Sequence, residues 1–126
     1  DIIWWNRKFN HDRPKPCRCL FILGDMLELG ENEVKYHQEI IDQLSITFAQ
    51  LNTNVILVGD IFSKIIIPEI LIEDSFRYCV QVKSNIEAAE IIQNHNFTAK
   101  TIIEKEMLVF IKGSRKLKLE KLIDYL

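Results

Sequence analysis

The stretch Leu20-Phe21-Ile22-Leu23-Gly24-Asp25-Met26-Leu27-Glu28-Leu29-Gly30 decides the fold. An apolar run stops at a glycine and an acid, a short loop follows, and a helical pattern begins after the second glycine. Near the other end of the chain, Met107-Leu108-Val109-Phe110-Ile111 is an apolar run that stops at Lys112-Gly113-Ser114-Arg115. Runs that are apolar on both faces are typical of buried parallel strands. We therefore interpret both as strands of a parallel sheet, each followed by a loop placed for ligand contact.

Between these two runs the apolar pattern alternates between strand and helix. After Gly30 the apolar residues recur at steps of three and four, which predicts an amphipathic helix. Ser84 with Glu87 forms the pattern of a capping box, and we expect the helix behind it to bury Ile86, Ala89 and Ile92. Ser114 predicts the start of a last helix. Strands are predicted over 17–24, 55–58, 77–82 and 107–111, so the sequence predicts an α/β fold, Rossmann-like, with helices on both faces of a mainly parallel sheet.

Size and composition favour a single cytoplasmic domain. The chain has 126 residues and a formal charge of −2, from 16 basic and 18 acidic residues. This balance favours neither nucleic acid nor an anionic membrane as a partner. No apolar run approaches the roughly 20 residues that span a bilayer, so we expect no membrane insertion. The three cysteines are expected to be reduced thiols.

The first residues do not follow the α/β pattern. Residues 1–16 contain two prolines and two adjacent tryptophans, and we interpret them as an N-terminal segment or linker. The globular domain is then expected over 17–126. Because the sequence does not begin with Met, we expect it to be a fragment or a processed chain.

The loops after the strands carry the candidate chemistry. In such sheets ligands bind beyond the carboxyl ends of the strands. The loop of Lys112, Gly113, Ser114 and Arg115 offers two cations, a hydroxyl and backbone N–H groups, which suit a carboxylate or a phosphate. Alternatively, Ser114 only caps a helix and the cations are solvated. In the first loop, Asp25 and Glu28 either hold a cationic amine or close the loop and cap the next helix.

Other site types find little support in the sequence. The glycines do not form a Walker A loop or a G-x-G-x-x-G motif, so a standard nucleotide-phosphate loop is not expected. We find no catalytic triad and no metal-ligand spacing, and we name no catalytic or metal-binding residue. His37 falls inside the predicted helix, where a histidine is more often packed than ligating.

The two loop motifs resemble those of the Mur ligases. Leu23-Gly24-Asp25-Met26-Leu27-Glu28-Leu29-Gly30-Glu31, followed by His37, is similar to the family segment LGDMxELG…H. Phe110-Ile111-Lys112-Gly113-Ser114-Arg115 is similar to the family ending vKGSR. The resemblance covers residues 18–126 and is strongest to the MurF type, which adds D-alanyl-D-alanine to UDP-N-acetylmuramoyl-tripeptide in peptidoglycan synthesis.

This resemblance implies the C-terminal domain of a three-domain cytoplasmic ligase. In that family, ATP and magnesium activate a peptide carboxylate as an acyl phosphate, and an incoming amine attacks it. The C-terminal domain closes over a central ATPase domain and helps to hold the nucleotide and the incoming substrate. The resemblance places Lys112, Gly113, Ser114 and Arg115 against that substrate, and assigns Asp25 and Glu28 to the other signature loop.

The chain also departs from the family. The central domain's phosphate loop and metal-binding residues are absent from the sequence, as is the DDxYNANP segment that opens the family's C-terminal domain. We therefore expect the usual first strand and helix to be missing, an exposed sheet edge, no cofactor on the isolated chain, and no activity by itself. The alternatives are a non-catalytic, flavodoxin-like regulatory or interaction module and a degenerate remnant of the ligase.

Overall fold

A mainly parallel sheet forms the centre of the molecule. The computed structural model describes residues 2–7, 18–27, 29–47, 52–68, 78–94 and 107–125. Within these residues the strands are β1 (Ile2–Arg7), β2 (Arg18–Gly24), β3 (Asn52–Val58), β4 (Tyr78–Val82) and β5 (Met107–Lys112). They lie in the order β1-β5-β2-β3-β4. The strands β2 to β5 are parallel, and β1 runs antiparallel to β5.

Helices cover both faces of this sheet. Since alternate strand residues point to opposite faces, β2 contributes to two separate cores. Phe21 and Leu23 pack in the core that includes Leu44 of helix α1 (Glu33–Thr47). Leu20 and Ile22 pack in the core of helix α2 (Asn85–Asn94) and the C-terminal segment. The predicted three-layer α/β/α fold is therefore confirmed. Neither α1 nor α2, nor any other helix in the described residues, is long and apolar enough to cross a bilayer.

The first strand corrects the prediction of a linker over residues 1–16. Ile2–Arg7 joins the sheet and pairs with β5 from Ile2 opposite Lys112 to Arg7 opposite Met107. Its β-branched and aromatic residues favour a strand, and β5 offers it unpaired backbone groups. The edge of the sheet along β5 is thus covered by β1. The domain boundary at residue 17 stays a prediction.

The helix predicted to start at Ser114 is different in the structure, and a short 3-10 helix follows β3. In the described residues after β3, which end at Pro68, the chain forms a short 3-10 helix, Phe62–Lys64. The β-branched run and the proline that follow it disfavour continuation of that helix. The C-terminal segment consists of two 3-10 helices, Arg115–Leu117 and Leu119–Tyr125. Lys118 lies between them with a left-handed φ of 52°, which interrupts regular helix.

Ser84 caps α2 as predicted, but one predicted core position is wrong. Ser84 Oγ accepts a hydrogen bond from the Glu87 N–H, and the Glu87 carboxylate accepts one from the Lys83 N–H. Ile86, which we expected to be buried, is 69% exposed. The buried residues of this helix are Ala88, Ala89 and Ile92. Ala89 and Ile92 are therefore buried as predicted, and Ala88 rather than Ile86 completes the inward face.

Two glycines allow the ends of β2 and β5 to approach closely. A Cβ atom on Gly113 would lie 2.9 Å from the Gly24 Cα and 2.8 Å from the Leu119 Cδ1. A Cβ atom on Gly24 would meet the side chains of Leu117 and Leu119 at 2.5 and 2.7 Å. Since backbone atoms cannot move aside for a Cβ atom this close, Gly113 needs glycine for lack of space, whereas at Gly24 the two leucine side chains would have to shift.

We expect Gly113→Ala to lower the free energy of unfolding by about 1–3 kcal/mol, because the added methyl group meets backbone that cannot move aside as a side chain can. Urea denaturation of the purified chain measures the change. Gly30→Asn is the matched control. Gly30 has a φ of 76° and open space around it, and asparagine tolerates that conformation. Equal losses in the two variants would contradict the packing argument.

Candidate substrate-binding rim

The two loops chosen from the sequence meet at the carboxyl edge of the sheet. Leu23 of β2 pairs with Lys112 of β5. Two residues later, the Ser114 N–H donates to the Asp25 carbonyl at 3.0 Å, and the Asp25 N–H donates to the Val58 carbonyl at 2.9 Å. The strand ends of β2, β3 and β5 are therefore joined by hydrogen bonds. The predicted convergence of the two loops on one rim is confirmed.

The Asp25 side chain points into the protein rather than into the rim. Asp25 is 6% exposed. Its Oδ2 accepts from the Ile61 N–H at 2.9 Å, and its Oδ1 accepts from the Phe62 N–H at 3.0 Å. Gly59 makes room for the carboxylate, since a Cβ atom there would clash with it, and Gly59 has a φ of 121°. This geometry favours the loop-closing alternative for Asp25. A direct contact with substrate stays a prediction.

His37 binds the backbone of Met26, the loop residue that follows Asp25. It is completely buried in α1 and packs edge-on against the Phe62 ring, with 4.5 Å between the ring centroids. Its Nε2 accepts from the Met26 N–H at 3.0 Å, so Nδ1 carries the proton and donates to the Glu33 carbonyl at 2.6 Å. Both ring nitrogens are thereby used within the protein. The interpretation of His37 as a packed residue is confirmed.

The cationic loop is the more exposed part of the rim. Lys112, Gly113 and Ser114 are half-buried, and the Arg115 side chain is exposed. Ser114 Oγ accepts from the Lys116 N–H at 3.3 Å, so Ser114 caps the 3-10 helix that follows. Contacts of these four residues with a substrate stay predictions. Glu28, the remaining candidate, lies outside the described residues.

Metal ions and thiol chemistry find no support in the described part of the chain. Those residues contain no group of three or more His, Cys, Asp or Glu side chains that could hold a metal ion. Burial raises the pKa of the Cys79 thiol to about 12. Cys79 therefore stays protonated at neutral pH and is a poor nucleophile or metal ligand.

Sequence reasoning missed a cavity behind the cationic loop. It has a volume of about 180 Å³ and lies on the α1 face of the sheet. A weak signal was present, because Phe110 and Lys112 are two residues apart on one strand and so share a face. The described residues that line it are Phe21, Leu23, Gly24, Met26, Ile40, Leu44, Phe62, Phe110 and Lys112.

The sheet, its two helical layers and the joined strand ends define a Rossmann-like α/β domain with its loops gathered at the carboxyl edge. The crystal structure of MurF from Acinetobacter baumannii contains a similar fold, with a TM-score of 0.57 and 21% sequence identity over 85% of this chain. The chain spans 21% of the length of that protein. No protein-family model matches the sequence, and no curated protein matches it significantly. The likeness shows a Mur ligase-like domain fold.

We expect Asp25→Asn to lower the free energy of unfolding by about 1–3 kcal/mol, because the amide offers one oxygen where two N–H groups need acceptors. Denaturant unfolding measures the loss, and amide hydrogen exchange at Ile61 and Phe62 should accelerate. Asp60→Asn is the matched control, since Asp60 is exposed and follows the neighbouring strand. An Asp25→Asn variant as stable as the Asp60→Asn variant would remove the structural role of the carboxylate.

We expect His37→Phe to lower the free energy of unfolding by about 1–3 kcal/mol, because it keeps an aromatic ring beside Phe62 but leaves the partly buried Met26 N–H without its acceptor. Hydrogen exchange at the Met26 amide, followed by NMR, should become faster. Tyr36→Phe, on the exposed side of the same helix, is the control and should change neither stability nor exchange. Unchanged protection of Met26 in His37→Phe would contradict this assignment.

Proposed function

We propose that this chain is the C-terminal domain of an ATP-dependent peptidoglycan-precursor ligase of the MurF type. The full enzyme would join D-alanyl-D-alanine to UDP-N-acetylmuramoyl-tripeptide in the cytoplasm. One observation carries the proposal. Two loops similar to Mur ligase motifs, Gly24–Asp25 and Lys112–Arg115, meet at one rim of a domain whose fold is similar to part of a MurF structure.

The proposal divides the rim into contacting and positioning residues. Lys112 and Arg115 would bind the carboxylate of D-alanyl-D-alanine through charge-assisted hydrogen bonds, which are stronger than neutral ones. Asp25 would act through the loop, because its carboxylate already accepts two backbone N–H groups and its carbonyl holds the Ser114 N–H. Glu28 is proposed as a contact for the cationic amine.

ATP and magnesium are assigned to a different domain. The described residues contain no cluster of metal ligands, and the sequence has no phosphate loop of a standard kind. These residues do not fit a complete nucleotide site, so the domain would only complete one on closure over the central domain. We therefore expect the isolated chain to release no ADP from ATP, tripeptide and D-alanyl-D-alanine.

The regulatory-module alternative is less well supported. A phospho-acceptor domain needs a carboxylate that a phosphoryl donor can reach. The only acid at the end of β2 that the structure describes is Asp25, and it is buried with both oxygens bound to backbone N–H groups. That geometry argues against an acceptor role. The remnant alternative differs from the proposal in predicting no ligand binding at the rim.

Titration of the ¹⁵N-labelled chain with D-alanyl-D-alanine tests the proposal. We expect the amide signals of Gly113 and Ser114 to shift, and the shifts to be lost in Lys112→Met and Arg115→Met. A dipeptide amide, which lacks the carboxylate, should have no effect. Lys64→Met is the matched control, because Lys64 is an exposed cation on the 3-10 helix after β3.

Two outcomes would contradict the proposal. If the dipeptide and its amide shift the same signals equally, the loop does not recognise the carboxylate. If neither shifts them, the chain is better described as a remnant. Substrate-dependent ADP release by the isolated chain would overturn the assignment of catalysis to a further domain.

A further inference from the structure

The cavity behind the cationic loop lies on the face of the sheet that carries α1. Leu44 of α1 packs over β2 and β3, in the core formed by their alternate residues. Phe110, on β5, is only partly buried at the margin of that core. A space of about 180 Å³ remains between β2, β5 and the flank of α1.

The size and lining of this space suit an apolar ring or a branched alkyl group. A cavity of about 150 Å³ lined by Leu, Ile and Phe stays dry and binds benzene. The cavity here is slightly larger, and most of its described lining is aliphatic or aromatic. A ring that entered it would replace contact with water by contact with Leu23, Ile40 and Leu44.

Lys112 adds a positive charge at one end of the cavity. It lies two residues beyond Phe110 on β5, lines the cavity, and is half-buried at the carboxyl edge of the sheet. The methylene groups of a lysine can pack along apolar surface while the ammonium group stays in contact with water. The cavity therefore combines an apolar interior with a cation at the rim.

The cavity also has a route to solvent. A groove of about 630 Å³ runs along α1 and shares Met26, Ile40 and Leu44 with the cavity. His37 fixes the Met26 backbone, whereas the thioether side chain is flexible and adapts to a ligand. An entering molecule would thus pass beside an adaptable side chain on a fixed backbone.

We propose that this cavity binds small carboxylates that carry an aromatic or branched apolar group. The apolar group fills the space between β2, β5 and α1, and the carboxylate pairs with the Lys112 ammonium group. This binding does not depend on ligase activity. Because the site shares Lys112 with the rim, its ligands compete with any carboxylate bound to the cationic loop.

NMR of the isoleucine and leucine methyl groups of the full 126-residue chain tests the proposal. Phenylacetate should shift the methyl signals of Leu23, Ile40 and Leu44. It should bind about tenfold more tightly than either acetate, which lacks the ring, or benzyl alcohol, which lacks the charge. Lys112→Met should reduce phenylacetate affinity to that of benzyl alcohol and leave benzyl alcohol unchanged.

A cavity-filling substitution provides the second arm. Leu44→Phe should abolish binding of both aromatic probes, and Ile40→Phe serves the same purpose if Leu44→Phe does not fold. Ile46→Phe is the matched control, because Ile46 lies on the same helix but is 80% exposed. Aromatic binding that survives both filling variants, or phenylacetate affinity that survives Lys112→Met, would overturn the proposal.

This test is distinguishable from the test of the ligase function. The dipeptide titration reads the Gly113 and Ser114 amides, whereas the aromatic probes read methyl groups inside the cavity. A cavity that binds no aromatic probe leaves the dipeptide result unaffected. Conversely, failure of dipeptide binding leaves benzyl alcohol and phenylacetate free to occupy the cavity.

Discussion

The buried carboxylate of Asp25 is the interaction on which the rim depends. A charge removed from water is costly unless hydrogen bonds compensate it, and here two backbone N–H groups do so. The same residue donates its own N–H to β3 and accepts the Ser114 N–H through its carbonyl. One residue thus joins the ends of three strands. If it failed to pair, the turn after β3 and the cationic loop would lose a common support.

The surrounding residues reinforce this support in two different ways. His37 supplies a side-chain acceptor for the Met26 N–H, which lies beyond the regular pairing of β2 with β3. Gly24 and Gly113 act by having no side chain, so that the backbones of β2 and β5 can approach. The cations of the rim therefore lie on a base that packing and hydrogen bonds fix in place. Such a base is what a binding site needs in order to hold its groups in a defined geometry.

The sequence predicted most of the fold because periodicity and turn residues agreed with each other. The strands β2 to β5, the capping box at Ser84 and the meeting of the two loops all follow from local patterns and from the rule that parallel strands share an edge. Residues Ile2–Arg7 could not be placed, because a short aromatic segment becomes a strand only when an unpaired edge is available. The C-terminal helix type depended on the left-handed conformation of Lys118, which its residue type does not signal.

The candidate site was predictable in its location but not in its division of roles. Strand-end glycines and acids marked the rim, yet an aspartate at such a position can face outward or inward. The choice was decided by Gly59, more than thirty positions away along the chain, which provides space for the carboxylate. The cavity was harder to predict. It depends on where α1 lies across the sheet, and the amphipathic pattern of a helix does not specify that position.

The direction of β1 has a consequence for any polypeptide attached ahead of it. Since β1 runs antiparallel to β5, its first residue, Ile2, lies opposite Lys112, whereas Arg7 lies at the far end of the sheet. A preceding module would be tethered about one strand spacing, roughly 5 Å, from the cationic loop. So short a connection keeps a neighbouring domain at high effective concentration near the cationic loop. Opening and closing of the pair would then be a rotation about a pivot next to the cationic loop, with little loss of alignment between the two partners.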